Sequence, residues 1–384
     1  MASVLTDLAT DIYTAADNVS RELTGFIPSV NINSGSERAA KGDTVRAAFT
    51  PAVSTASRTA AMTIPEGTDQ TIANKTMTLS NDNAVQIPWT GEDIKHVRNG
   101  VGYETIYGQQ IEQAFRAHAN EIEAAIAAAC NLGASRAYGT AGTTPFGTSG
   151  DFTDASEALR ILKDNGAPQS ENSLVMNTAA GAKFLGMQSR YDVSGDTSIR
   201  RQGILQETGG LALRESAQVV NFTKGTGASA TTDNTGYAIG TTTITLASAG
   251  TGTILAGDVI TFASDTNKYV VATGDADVSG GGSIVLQAPG LRKALPASAV
   301  AITLIATSAR NIVLNRGAVE LAIRAPAMPD GGDAAVDAMM VQDPRSGLTF
   351  DIRAYKGYGK AMFDVSSVWG VQVWKPEHLG ILLG

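Results

Sequence analysis

Residues 103–137, YETIYGQQIEQAFRAHANEIEAAIAAACNLGASRA, constrain this chain more than any other stretch. Ile106, Ile111, Phe115, His118, Ile122, Ile126 and Cys130 fall on one apolar stripe of a helix, and the alanine run has the highest helix propensity. At 1.5 Å per residue such a helix is about 45–50 Å long. One small domain does not need that length, so the rest of the chain must be laid out along a spine. His118 and Cys130 sit on or beside the stripe and read as core residues. Glu121 and Glu123 read as its polar face, solvated or at a subunit contact.

The chain has 384 residues, 43% of them hydrophobic and 17% charged. That is a folded composition, and the length calls for two or three domains. The 29 Lys and Arg against 37 Asp and Glu leave a formal charge of −8, which argues against a surface built to grip nucleic acid along its length. A single cysteine, Cys130, excludes an internal disulfide. His96, His118 and His378 lack the spacing of metal ligands. The first residues, MASVLTDLATDIYTAADNVS, have no basic region before an apolar run, so no signal peptide is expected. No apolar stretch reaches the ~20 residues that span a bilayer. A soluble, cytosolic protein without membrane contact is the expectation.

Leu5, Leu8, Ile12, Ala16, Val19 and Leu23 predict an amphipathic N-terminal helix, followed by extended chain punctuated by Pro28, Gly35 and Gly42. TVRAAF and MTLSNDNAVQIPW read as strands. The polar segment between them has too few large apolar residues to offset the ordering cost of about 1–2 kcal/mol per residue. It should project from the body or lie on a neighbour. A second helix follows a glycine-rich loop, with Asp154 as its expected N-cap and Gly166 and Pro168 ending it. SLVMN is a short buried strand and TAAGAKFLG begins another helix. Leu348, Phe350 and Ile352, then Val371 and Val373, alternate as in a sheet with one solvated face.

Residues 223–306 differ from both flanks. Thr, Ser, Ala and Gly dominate, charges are few, and the strands are rich in Thr, Val and Ile. Such a change of style marks a module placed in a surface loop of a host fold.

Motifs for chemistry are missing. GTGTILAG has a misplaced third glycine for a dinucleotide site and reads as a hairpin turn. AAGAKF lacks the remainder of a phosphate loop, and no Gly-x-Ser-x-Gly elbow occurs. DGGDAAVD holds three carboxylates without the spacing of an EF-hand and reads as a polar loop. Trp369 and Trp374 fit core packing better than base stacking. The pair Arg200 and Arg201 suits a neighbour's carboxylates or phosphate. No catalytic residue, cofactor or metal is expected.

Three stretches carry a resemblance. GILQETGGLALRESAQVVNFTKGTG leads through a glycine-centred turn and a strand into the module. TITLASAGTGTILAGDVITF supplies the module's strand, loop and x-Gly-Asp-x-Ile-x-Phe strand. NIVLNRGAVELAIRA and DPRSGLTFDIRAYKGYGKAMFDVSSVWGVQVWKPEHLGILL form a closing sheet with a late glycine and proline, Gly370 and Pro376. With the order of elements, they resemble the major coat proteins of tailed double-stranded DNA phages, most of all the short-tailed-phage coat proteins with an inserted β-barrel domain.

The resemblance implies an α+β, Hong Kong 97-type capsid fold: N-terminal helix and arm at 1–43, extended β loop at 44–90, and a peripheral domain with the spine helix at 91–150. The axial domain would take 151–222 and 307–384, and an inserted β-domain 223–306. It implies a major capsid protein, not an enzyme, that self-assembles through hexamers and pentamers into an icosahedral virion shell in the host cytoplasm. Implied partners are a scaffolding protein, a portal protein, packaged double-stranded DNA held non-specifically, and a decoration protein. Subunit-contact candidates are Arg58, Glu66, Asp69 and Lys75 in the extended loop, Arg200 and Arg201, and Asp233. Asp233 is the one charge in GTGASATTDNTGYAIG, where the family's insertion carries a charged loop for contacts between capsomers. From the residues alone, two rivals stand beside this reading: a surface adhesin or carbohydrate-binding module, suggested by the Thr-Gly-rich strands, and an enzyme without a recognisable motif.

Overall fold

A computed structural model describes residues 21–49, 55, 57–60, 62–64, 73–98, 103–147, 151–188 and 210–384. Of the N-terminal helix expected from Leu5 to Leu23, the part before residue 21 lies outside the described residues, as do Glu66, Asp69, Arg200 and Arg201, and residues 21–23 are extended or irregular rather than helical.

The chain opens with strands β1 (Asn31–Ala39), β2 (Thr44–Phe49), β3 (Ala73–Thr78) and β4 (Asn81–Thr90), then helices α1 (Gly91–Arg98) and α2 (Tyr103–Gly133). Next come β5 (Arg136–Tyr138), α3 (Thr153–Asp164), β6 (Asn172–Met176), α4 (Thr178–Gln188), β7 (Leu211–Glu215) and β8 (Asn221–Phe222). The Thr-Gly-rich stretch contributes β9 (Thr243–Leu246), β10 (Val259–Phe262), β11 (Lys268–Thr273), β12 (Gly282–Leu286) and β13 (Ile302–Leu304). The chain closes with β14 (Ser308–Asn315), β15 (Val319–Pro326), β16 (Ala335–Gln342), β17 (Thr349–Gly357), β18 (Lys360–Val373) and β19 (Leu379–Leu383). The fold is mixed α and β, and mostly sheet.

One sheet runs β1-β15-β18-β17-β16, with β4 along the other edge of the long strand β18. A second runs β7-β6-β14-β19-β5 and continues through β11 into β10 and β13, with β12 and β9 beyond β11. Helix α2 packs between them. Its Ile111, Phe115, Ile122, Ile126 and Cys130 are buried with Ile352, Val365 and Trp369 of the first sheet and Ile312, Leu314 and Ile381 of the second. The Phe115 ring stacks on Phe350 at 5.0 Å. The apolar stripe read from the sequence is thus the core face. The helix ends at Gly133, four residues short of the expected span, because Arg136 and Ala137 pair with β19 and β11.

Helices α3 and α4 cover the opposite face of the second sheet, burying Leu159, Leu162 and Phe184 against Leu174, Val313 and Leu382. Asp154 does not cap α3. The helix begins at Thr153, whose amide donates to Asp151 at 2.8 Å, while Asp154 accepts from the Phe146 amide at 2.7 Å.

The closing strands were expected to have one solvated face. Their centres are buried on both, since β17 and β18 have runs of buried residues without alternation. Trp369 faces α2, whereas its neighbour Val368 packs with Met77, Leu79 and Ala322 beneath the β2–β3 hairpin. The expected strand MTLSNDNAVQIPW divides: β3 stays with the hairpin, while β4 joins the sheet along ten residues of β18.

Residues 230–304 hold an apolar core of their own, including Ile244, Ile260, Phe262, Tyr269, Val271 and Ile284. The expected hairpin at GTGTILAG is absent. Strand β9 pairs with β12, β10 pairs with β11 and β13, and the glycine-rich loop instead bridges Thr251 to Ala228 and Ile254 to Asp275. Gly250 and Gly252 have positive φ there, with backbone atoms of residues 226–230 packed where a Cβ would lie.

Candidate functional site

No catalytic constellation appears among the described residues, and among them no three His, Cys, Asp or Glu side chains gather to hold a metal ion. Burial pushes the Cys130 thiol far up, so it is not a nucleophile. His118 lies in the core with its Nε2 3.0 Å from the Val365 carbonyl oxygen. Asp333 of the acidic cluster accepts from Arg353 at 2.9 Å and Tyr355 at 2.7 Å. AAGAKF lies inside α4. Trp369 is buried, while half-buried Trp374 donates its indole N–H to Glu320 at 2.7 Å. No helix among the described residues is long and apolar enough to cross a membrane.

The buried polar groups serve architecture. Glu123, expected on a solvated face, is fully buried. The amides of Gly25, Phe26 and Ile27 donate to its carboxylate at 2.6, 2.7 and 2.9 Å, and Ser216 Oγ adds a fourth bond at 2.7 Å. Charge-assisted bonds of this kind are the stronger class, and together they fix the start of the described chain and the end of β7 to the middle of α2. Glu121, by contrast, is exposed and bonds Asn83.

Three turns earlier on α2, Arg21 pairs with Glu112 at 2.8 Å and with Asp343, in the β16–β17 turn, at 2.5 Å. Burial pushes the Glu112 carboxyl up, against the pull of Arg21. Arg116 and Asn120 hold the half-exposed Glu22 down to about 2. Residues 21–27 are therefore pinned along α2 by three separate carboxylates. The signal was present in the sequence: positions 112 and 123 flank the apolar stripe at helical spacing from Phe115, Ala119 and Ile126, where a charge needs partners.

The second feature is the β2–β3 hairpin. Its base packs on β18 through Met77 and Leu79, and Lys75 Nζ donates to the Trp374 carbonyl at 2.7 Å. Farther out, Arg58 is exposed, and Met62 and Ile64 have relative accessibilities of 106% and 92%. Both are large apolar side chains that the lone chain leaves exposed.

The third feature is the 230–304 core. There Asp233 accepts from Thr235 and from the Tyr237 hydroxyl at 2.6 Å, and these bonds hold its carboxyl below the usual range. It serves its own turn. Of the seven contact candidates, then, Arg58 is exposed, Lys75 and Asp233 bond within the chain, and the other four lie outside the described residues.

No protein-family profile matches this sequence, and no curated protein matches it. Solved structures do. The chain is similar to one in the capsid structure of the cyanophage P-SCSP1u, with 12% identity and a TM-score of 0.51 over 95% of this chain and 89% of that one. It is also similar to a chain of Mycobacterium phage Che8, at 14% identity and TM-score 0.48, covering 95% and 92% of the two chains. For the capsid of the Myoviridae phage XM1 the identity is 10% and the TM-score 0.45, over 95% and 94%. The P-SCSP1u likeness, over 95% of this chain, shows the fold to be that of a phage capsid chain.

Proposed function

We propose that this chain is the major capsid protein of a tailed double-stranded DNA phage, and that copies of it build the icosahedral head shell. The observation that carries the reading is the capsid fold over 95% of the chain. The exposed Met62 and Ile64, between β2 and β3, add to it. In this reading the shell is a structural assembly, not an enzyme, and no cofactor takes part.

The finer organisation has an arm at 1–43, an extended loop from 44, a peripheral domain around α2, an axial domain at 151–222 and 307–384, and an inserted β-domain at 223–306. Its support is the separate 230–304 core and the packing of α3 and α4 on one face of the second sheet. Within the 44–90 loop, β3 packs on β18 through Met77 and β4 pairs with β18 in the first sheet. The contacts assigned to Arg58, Glu66, Asp69, Lys75, Arg200, Arg201 and Asp233 are carried forward as candidates. Scaffolding protein, portal protein, decoration protein and packaged DNA complete the partners, with assembly in the host cytoplasm and residence in the virion. A lone adhesin or carbohydrate-binding module gives no account of α2 or of the capsid fold.

Expression alone and with its scaffolding protein, followed by sedimentation and negative-stain microscopy, tests the reading. Closed shells or capsomer rings of regular diameter are expected. A monomer under every condition overturns it.

A further inference from the structure

Strand β7 is the last strand of the second sheet among the described residues. Its Leu211 and Leu213 are buried with Leu159, Leu162 and Phe184, so Ala212 and Arg214, one residue out of phase, face the other side of the sheet. A cleft of about 400 Å³ lies there, with Ser29, Glu171, Ser173, Arg214 and Arg316 in its lining. Arg214 is half-buried. Its Nε is enclosed without a hydrogen-bond partner, and its guanidinium meets no carboxylate among the described residues. A partly desolvated cation without an acceptor costs stability, and such a cost is kept where a function needs the group.

The walls of the cleft are already fixed. Asn315 Nδ2 donates to the Ser170 carbonyl at 2.9 Å and to Asn172 Oδ1 at 3.1 Å, and the Arg316 amide donates to the Glu171 carbonyl at 3.1 Å. These bonds hold the loop before β6 against the turn at Arg316. Across the cleft, Ser29 Oγ donates to the Gly25 carbonyl at 2.6 Å, beside the amides clamped by Glu123.

Charge selects the occupant. Arg316 and Glu171 are exposed and 3.4 Å apart, a pair worth little in water, which leaves Arg214 as the cation without a counter-charge. The guanidinium fork suits a carboxylate or a phosphate. Glu171 in the same lining repels a nucleic-acid backbone with its row of phosphates, whereas one carboxylate side chain can enter beside it. Copies of this chain carry such groups in excess, with 37 Asp and Glu against 29 Lys and Arg.

We propose that this cleft is a contact between copies, in which Arg214 receives the carboxylate of an acidic side chain from a second copy of the chain. The presence of neighbouring copies rests on the capsid reading; the choice of Arg214 rests on the cleft.

The test uses the full chain with R214Q and R214K. R214Q removes the charge and breaks no internal ion pair, so the thermal midpoint of the unassembled protein should not fall. The concentration that gives half-assembly in sedimentation should rise about ten-fold. R214K keeps the charge and should assemble near the parental concentration. Particles built from equal parts of unlabelled and isotope-labelled R214K are then treated with a carbodiimide, which joins a lysine to a carboxylate that it touches. The new lysine should be linked to an Asp or Glu, in peptide pairs that mix the two labels. Links confined to one copy, links only to another protein, or no link at all overturn the proposal. So does R214Q that assembles at the parental concentration, or that loses assembly in step with its midpoint. If R214Q does not fold, the R214K links decide alone. A parent protein that never assembles overturns the capsid reading and the contact together, while a parent that assembles beside an equally competent R214Q overturns the contact alone.

Discussion

Glu123 shows how a single charged residue can be the fixed point of a helix rather than its wetted side. Its carboxylate takes three consecutive amides and a hydroxyl. E123Q keeps the shape but replaces one acceptor oxygen with an NH2 that faces other donors. A loss of about 2–4 kcal/mol is expected, because removing a buried charged acceptor strands its donors. Urea unfolding checks this: the midpoint should fall with the slope unchanged, and an unaltered midpoint would show that the clamp contributes nothing. His118 supplies the pH counterpart. Burial holds its imidazole below the ordinary value of about 6.5, against smaller opposing effects of Val365, Glu121 and Asp364. The native state thus favours the neutral ring, and the unfolded chain binds the extra proton first. Stability is complete above about pH 6.5 and falls as pH drops through that value toward the lower folded one. H118Q should flatten the slope between pH 6.5 and 5 in unfolding titrations, and an equal slope in both proteins would place its origin elsewhere.

At the scale of elements, legibility followed periodicity. Helix α2 was plain in the sequence because one stripe of Ile, Phe and Ala repeats over 31 residues, and the strand pattern of β17 and β18 was plain for similar reasons. What stayed hidden was which faces met. The Leu348-to-Ile352 alternation cannot reveal that Arg38 of β1 pairs with the buried Asp351 on the far face of β17, since that contact joins residues 313 apart. Nor could the glycines of GTGTILAG distinguish a hairpin from a loop that bridges two other strands. Gly370 is a case where the reason is now visible: a Cβ there would lie 2.4 Å from the Thr78 carbonyl oxygen. β3 can cross β18 that closely only over a glycine. G370A should therefore cost about 1–3 kcal/mol by forcing backbone apart, seen as a lowered thermal midpoint. A midpoint equal to the parent's would mean that the hairpin does not press on β18.

For the whole molecule, the division of labour is between groups the chain satisfies by itself and groups it leaves to others. Glu112, Glu121 and Glu123 of α2 are each paired or bonded within the chain, so they belong to folding. Met62 and Ile64 are exposed in the lone chain, and in the capsid reading their burial comes from assembly. This separation makes a clean prediction for M62K/I64K. Replacing two fully exposed side chains removes no native contact, so unfolding of the monomer should change by less than about 0.5 kcal/mol. Shell formation should suffer strongly, because an interface that takes up two apolar side chains loses that burial, worth about 1.5–3 kcal/mol for each side chain, and gains two charges to desolvate at every copy. Many copies multiply the penalty. Sedimentation at matched concentration should show the variant trailing as unassembled protein while the parent forms particles, with identical far-ultraviolet circular dichroism. Particles of parental yield from the doubly charged variant would remove the hairpin end from the interface and leave assembly to be sought along the sheet edges and the 223–306 unit.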